Sequence, residues 1–199
     1  MIPERVETVM RRLEQQDARD RTDGSPRELR LRQIPRQVGE FLRTLAIATD
    51  AQRIVEIGTS GGYSTLWLAL AAHQTGGRVT TFEVDAAKVD IARRSFADAG
   101  LADAIELRPV DARGGLGPEP RTVDLVFLDA DKDVYEPLLE PVVDVLRPGG
   151  LLVADNLTSH ADELAAFRER ALRHRELTGL VVPIGRGELV AVKRPVGRT

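Results

Sequence analysis

From Arg53 onward the chain alternates short apolar runs with longer segments of helical periodicity, and this alternation restricts the fold more than any other feature. The runs are RIVEIG from Arg53, RVTTFEV from Arg78, Ala104 to Leu107, VDLVFLD from Val123 and LLVAD from Leu151. Between them, Tyr63 to His73, Ala86 to Ala99 (closed by Gly100) and Tyr135 to Leu146 (stopped by Pro148-Gly149-Gly150) read as helices. A further helix is expected over Ala161 to Arg175, with Leu164, Phe167, Ala171 and Leu172 on one face. Strands apolar on both faces and separated by helices belong to a parallel sheet covered on two sides. The tail departs from this rhythm. Leu177 to Ile184 and Glu188 to Val192 are strand-like runs joined by Gly185-Arg186-Gly187, the pattern of a hairpin.

Ahead of the sheet, Val6, Val9, Met10 and Leu13 predict an amphipathic helix over residues 3–19, free to serve as an interface or a lid. A polar break follows at Asp20 to Pro26, and Val38, Phe41, Leu42 and Leu45 mark a second helix ending near Thr49. Phe41 and Trp67 are expected in the core. The expectation is one α/β domain over residues 1–199, with a helical extension at 1–49 and the sheet-bearing core at 50–194.

Several function classes fall away on composition. There is no cysteine, so disulfides, thiolate metal sites and cysteine nucleophiles are excluded. A net charge of −3 gives no reason to expect a nucleic-acid partner. No apolar run approaches the roughly 18 to 20 residues that span a bilayer, and the charged N-terminus lacks a secretory apolar stretch. A cytoplasmic location without membrane contact is the expectation. Of the 28 basic residues, only Lys88, Lys132 and Lys193 are lysines.

Val55 to Ser64 (VEIGTSGGYS) runs from the first strand through a glycine turn into a helix, where backbone can approach a ligand at a helix head. It is not GxGxxG. Glu56, two residues before Gly58, would repel a pyrophosphate and suit a ligand carrying positive charge. Glu83 ends the second strand, placed to accept hydrogen bonds from both hydroxyls of a ribose. A positively charged nucleoside with a free ribose and no phosphates describes S-adenosylmethionine (SAM) better than NAD.

Two strands also end in oxygen donors: Asp129 and Asp131, followed by Lys132, after one, and Asp155 and Asn156 after the next. Asp129, Asp155 and Asn156 would offer three oxygens to Mg²⁺, which takes about six at roughly 2.0–2.1 Å and keeps several waters. Ca²⁺ or Mn²⁺ would accept the same set. Lys132 stands at a helix start, where cations are disfavoured, in a chain that otherwise uses arginine. Unlike arginine, lysine can shed its proton, which fits a general base. Among the remaining candidates, His160 could line a pocket, and Arg36 and Arg186 could steer an acidic substrate.

Taken in order and spacing, VEIGTSGGYSTLWLA, TTFEVD, FLDADKDVY and LLVADN resemble the cation-dependent O-methyltransferases, the class of the catechol and caffeoyl-CoA enzymes and their bacterial relatives. The likeness covers about residues 36–194. It implies a Rossmann-like class I methyltransferase fold, a seven-stranded, mostly parallel sheet with an antiparallel last strand and helices on both faces. It implies metal ligation by Asp129, Asp155 and Asn156, and Lys132 as the base. It implies SAM contacts at Glu56, Gly58, Ser64, Glu83 and Asp131, and at Asp111-Ala112 beside the adenine, with Asp129 next to the cofactor. It also implies a small hydroxylated aromatic substrate and a homodimer. Ser60-Gly61-Gly62-Tyr63 departs from the family's frequent Thr-Gly-Tyr, and the residues before Val38 match poorly. A nicotinamide-dependent oxidoreductase and a non-catalytic SAM-binding protein are the competing readings.

Overall fold

The computed structural model describes residues 1–116 and 122–195; the expected domain limit at residue 199 lies outside them. Seven strands form one sheet: β1 (Arg53–Ile57), β2 (Arg78–Phe82), β3 (Ile105–Arg108), β4 (Val123–Leu128), β5 (Leu146–Ala154), β6 (Leu177–Val182) and β7 (Glu188–Lys193). Their order is β3-β2-β1-β4-β5-β7-β6. Strands β1 to β5 pair in parallel, and β7 runs antiparallel to both β5 and β6. The Rossmann-like arrangement predicted from sequence is present, with its antiparallel last strand. The order reverses between β1 and β4, and ligands of open α/β sheets lie outside the strand ends at such a reversal.

Helices α1 (Glu4–Asp20), α2 (Arg36–Ala48), α3 (Tyr63–Thr75) and α4 (Ala86–Ala99) build one apolar layer with β-strand residues such as Phe127 and Val153. The one-turn α5 (Ala112–Gly115), α6 (Tyr135–Val145) and α7 (Ala165–Arg173) build the other, with Leu128, Ala154 and Leu189. Alternate residues along each strand serve opposite layers, as the pleat requires. Helix α3 is buried nearly all round. Its Trp67 sits so close to α2 that a Cβ on Gly39 would lie 2.3 Å from the indole.

The structure corrects several details. Strand β5 starts at Leu146 and carries Pro148-Gly149-Gly150 within it, as an irregularity between the pairs Val123–Leu146 and Leu125–Leu151. Helix α7 begins only at Ala165: residues 157–164 form turns, and the Ala165 amide bonds three residues back to Asp162 instead of four residues back as a helix requires. Leu172 is exposed, while Leu164, Phe167 and Ala171 are buried. Finally, the apolar stripe of α1 (Val6, Val9, Met10, Leu13) is spent inside its own chain, and Phe41 is only half-buried.

Candidate active site

At the order reversal the carboxyl ends of β1, β2, β4 and β5 open into a cavity of about 710 Å³. Gly58 begins the first turn at φ +101°, where a Cβ would lie 2.0 Å from the carbonyl oxygen of Asp129. The glycine is thus demanded by the end of β4, and it also lines the cavity. Gly62, at φ +91°, is hemmed in by Phe96 in the same way. The amides of Gly58 and Thr59 bond to the Phe82 carbonyl, which leaves Gly61 and Ser64 on the cavity wall at the head of α3.

Glu83 faces the cavity with its carboxylate fixed by three backbone donors: Ser60 N at 2.7 Å, Val84 N at 2.9 Å and Asp85 N at 3.0 Å. Asp111 and Ala112 stand farther along the same wall. Asp111 caps α5 and pairs with Arg113 at 2.6 Å; this hydrogen bond holds its pKa below the usual carboxylate range. Val84 and Val110 expose apolar surface here, 72% and 46%. Sequence reasoning missed both, since an apolar residue just beyond a strand end reads as more core.

Glu56 lies behind the turn instead of on the wall. It is fully buried: one oxygen accepts from Thr65 and, at 2.6 Å, from Thr81, while the other has no partner. Burial pushes its pKa up to about 7, against the opposing pull of the Ser64, Thr65 and Thr81 hydroxyls.

The acidic end of the cavity is built by three adjoining strands. Asp129 and Asn156 touch, Asn156 Nδ2 donating to Asp129 Oδ1 at 2.9 Å. Asp155 is buried beneath them: Oδ1 accepts from the Asn156 amide at 2.5 Å, and Oδ2 is unpartnered. Asp129 and Asn156 are on the wall and Asp155 is not. Burial, then the neighbouring Asp155 charge, raises the Asp129 pKa. Beside Asp155 lies a residue the sequence did not single out. Glu188 is fully buried with neither oxygen partnered, and burial followed by the Asp155 charge drives its pKa far above the carboxyl range. A lone glutamate opening an edge hairpin gave no signal of this.

Lys132 stands over this group, Nζ 3.5 Å from Asp129 Oδ1, 2.9 Å from the Ala130 carbonyl and 3.1 Å from the Tyr135 hydroxyl. Burial lowers its pKa, against the pull of Asp129 and Asp155. These surroundings suit a divalent cation chemically: buried carboxylates crowd one another, three of their oxygens are orphaned, and the Asn156 amide is adjacent, with its nitrogen on Asp129 and its oxygen on Ser159. Among the described residues no three acidic or histidine side chains could hold an ion by themselves. The Asn156 amide, water and a bound substrate would have to complete the shell.

Asp131 is also on the wall, with its carboxylate paired to Arg32 at 3.1 Å. Arg32 belongs to the segment between α1 and α2, which roofs the cavity and is latched by Ser60 Oγ donating to the Leu31 carbonyl at 2.6 Å. The far rim carries Arg27, His160, Glu163 and Arg186. His160 therefore does line the pocket. Arg36 does not: it is engaged by Glu7, Glu14 and Glu40 and lies over the Trp67 ring.

A profile of the O-methyltransferase family matches residues 8–177. A protein named catechol O-methyltransferase from Mycobacterium tuberculosis is 38% identical over 147 residues, covering 68% of this chain and 66% of that one. Another of the same name from Niastella koreensis is 36% identical over 127 residues, covering 60% of this chain and 55% of that one. The matches thus span between about half and two-thirds of these relatives' lengths. Among solved structures, an O-methyltransferase from Bacillus cereus in complex with SAH superposes with a TM-score of 0.81 at 27% identity, covering 98% of this chain and 93% of that one.

Proposed function

The chain belongs to the O-methyltransferase family, and on that premise we propose that it methylates one hydroxyl of a small catechol-like or phenolic acceptor, using SAM and a divalent cation. One observation carries the reading: Glu83 and the Gly58 turn share a single cavity with Asp129, Asn156 and Lys132. A nucleoside-binding end and a proton-accepting end are therefore within reach of one bound pair of reactants.

Glu83, already immobilised by backbone donors, keeps lone pairs for the two ribose hydroxyls. Asp111, Ala112, Val84 and Val110 flank the place of the base. Gly61 and Ser64, at the positive head of α3, suit the donor's carboxylate. Asp131 and Asp129 face its ammonium, and Glu56, behind the turn, is a carboxyl that a bound sulfonium would favour in its ionised form.

Asp129, Asp155 and Asn156 would hold Mg²⁺, or Ca²⁺ or Mn²⁺ in its place. Such an ion, when bound, lowers the pKa of a hydroxyl and fixes its position. Lys132 takes the hydroxyl proton on Nζ, its depressed pKa bringing it nearer working pH. The acceptor oxygen then bonds to the methyl carbon as the carbon–sulfur bond breaks, and the sulfonium leaves as a neutral thioether. Holding both reactants in one cavity supplies up to roughly 7–11 kcal/mol of the acceleration.

Family membership argues against the nicotinamide-dependent oxidoreductase. The shared cavity, with Lys132 beside Asp129, argues against a non-catalytic binder. The two apolar layers on one sheet support one catalytic unit across residues 1–199, and the homodimer implied by the resemblance is checked by light scattering. The test of function is methyl transfer to a library of vicinal diols with and without Mg²⁺. Turnover that survives excess EDTA undiminished would remove the cation from the proposal.

A further inference from the structure

The rim beyond Lys132 and Asn156 has no task in the chemistry above, yet it concentrates positive charge. Arg186 sits at the tip of the β6–β7 hairpin, and its carbonyl accepts from Thr158 N at 2.9 Å, Ser159 N at 3.2 Å and Thr158 Oγ1 at 2.5 Å. The glycines on either side are packed in place, a Cβ on Gly185 lying 2.3 Å from Val38 and one on Gly187 2.4 Å from Thr158. The backbone of Arg186 is therefore fixed, and its side chain lines the cavity. Opposite, Arg27 Nη2 lies 3.4 Å from His160 Nε2. His160 Nδ1 lies 3.0 Å from Ser159 Oγ, which donates to Asn156 Oδ1 at 3.2 Å. With Arg27 donating, that chain needs a neutral imidazole. Burial and the cations Lys132, Arg27 and Arg186 all hold the His160 pKa down, with Glu163 as the opposing acid.

Among the described residues, neither Arg27 nor Arg186 forms an ion pair, in a chain whose other cavity-lining arginines, Arg32 and Arg113, are paired with Asp131 and Asp111. Arg27, engaged only through Nη2 by His160, and Arg186, which acts on the Asp129 charge without pairing with it, form a carboxylate-recognition element beside the acceptor's place, because the planar fork of arginine matches a carboxylate's two oxygens. We infer that the acceptor is a vicinal diol carrying a carboxylate on the arm away from its hydroxyls, read by Arg186 and Arg27. The inference rests on the proposed methyl transfer and adds the class of acceptor.

The experiment compares 3,4-dihydroxybenzoate with its methyl ester, which keeps the ring and the diol and removes the charge. The acid is expected to exceed the ester in kcat/KM by about tenfold, the equivalent of roughly 1.4 kcal/mol. R186Q and the double variant R27Q/R186Q are expected to collapse that ratio toward one, chiefly through KM for the acid. Because both arginines are solvent-accessible, the wild-type ratio is expected to shrink as ionic strength rises beyond about 0.15 M, where the Debye length is roughly 8 Å. Calorimetric binding of acid and ester to the enzyme loaded with SAH and Mg²⁺ gives the same ratio without turnover. A wild-type ratio at or below one, or a ratio untouched in the double variant, would overturn the inference. Turnover of the ester with no preference for the acid leaves the methyl-transfer reading standing and sinks only this one. If neither compound binds or turns over, both fall.

Discussion

Glu56→Gln removes a carboxylate buried behind the Gly58 turn while keeping its size and the oxygen that accepts from Thr65 and Thr81. Burial raises the Glu56 pKa from 4.5 to about 7, so the fold prefers its protonated form. The sign follows. This contribution to stability is fully present below pH 4.5, the unfolded value, and is lost as pH rises through about 7. At roughly 1.4 kcal/mol per pKa unit, the loss between about pH 5 and pH 8 is roughly 2–3 kcal/mol. For a chain of this size that corresponds to roughly 5 to 10 °C in Tm. The assay is thermal or urea unfolding of wild type and E56Q across that range, with cation removed by EDTA and no cofactor. A bound cation or sulfonium would itself favour the ionised form. The glutamine variant has its own offset, because its amide nitrogen must occupy the place of an unpartnered buried oxygen. The prediction therefore concerns the difference in slope: wild type loses stability with pH over this window and E56Q loses less by the stated amount. Parallel curves for the two proteins would refute the reasoning.

Asp129→Ala is expected to abolish metal-stimulated methyl transfer while SAH binding, followed by calorimetry, stays within about tenfold, since Glu83 and the turn remain. Lys132→Ala is expected to lower kcat by roughly 10²–10⁴, the range for loss of a general base, with a much smaller change in KM; steady-state kinetics at saturating cofactor decide it. Gly58→Ala forces a side chain into the Asp129 carbonyl at a positive φ, and a loss on the order of 3 kcal/mol or more is expected by chemical denaturation. Gly114→Ala, where a Cβ meets nothing within 4 Å, is its control and is expected to be near neutral.

The alternation of apolar runs and helical periods made the sheet legible because each strand's two faces are both covered, and that leaves a mark in every residue of the run. The hairpin was legible for a different reason: Gly185 and Gly187 both sit at positive φ, so the turn is written in residue type. What escaped was decided by partners distant in sequence. The turn after β5 is held by a carbonyl at Arg186, far down the chain from Thr158 and Ser159. Arg36 read as a free cation until α1 folded back and supplied Glu7 and Glu14. The glycines of the first turn were singled out as places where backbone approaches a ligand; the structure adds that Asp129 and Phe96 lie where a Cβ on Gly58 or Gly62 would go.

The acidic group shows the same division. Strand-end aspartates can be read from sequence, but which of them stand side by side depends on register. Leu128 pairs with Ala154, and Ala154 with Leu189. Asp129 and Asp155 each follow one of these residues and Glu188 precedes the third, so the three acids continue one row across β4, β5 and β7. Leu128, Ala154 and Leu189 face the layer of α6 and α7. By the pleat, the three acids turn to the opposite side. Neighbouring strands lie about 4.8 Å apart, and like charges directly opposite destabilise a sheet. Water cannot relieve the crowding, because Asp155 and Glu188 are fully buried. Lys132 reaches only Asp129 as an ion pair. A proton on Glu188 quiets one member of the row and hydrogen-bonds to Asp155; the proposed divalent cation on Asp129 and Asp155 would relieve the other two. The crowded row of acids is thus the feature that equips the fold for the proposed chemistry.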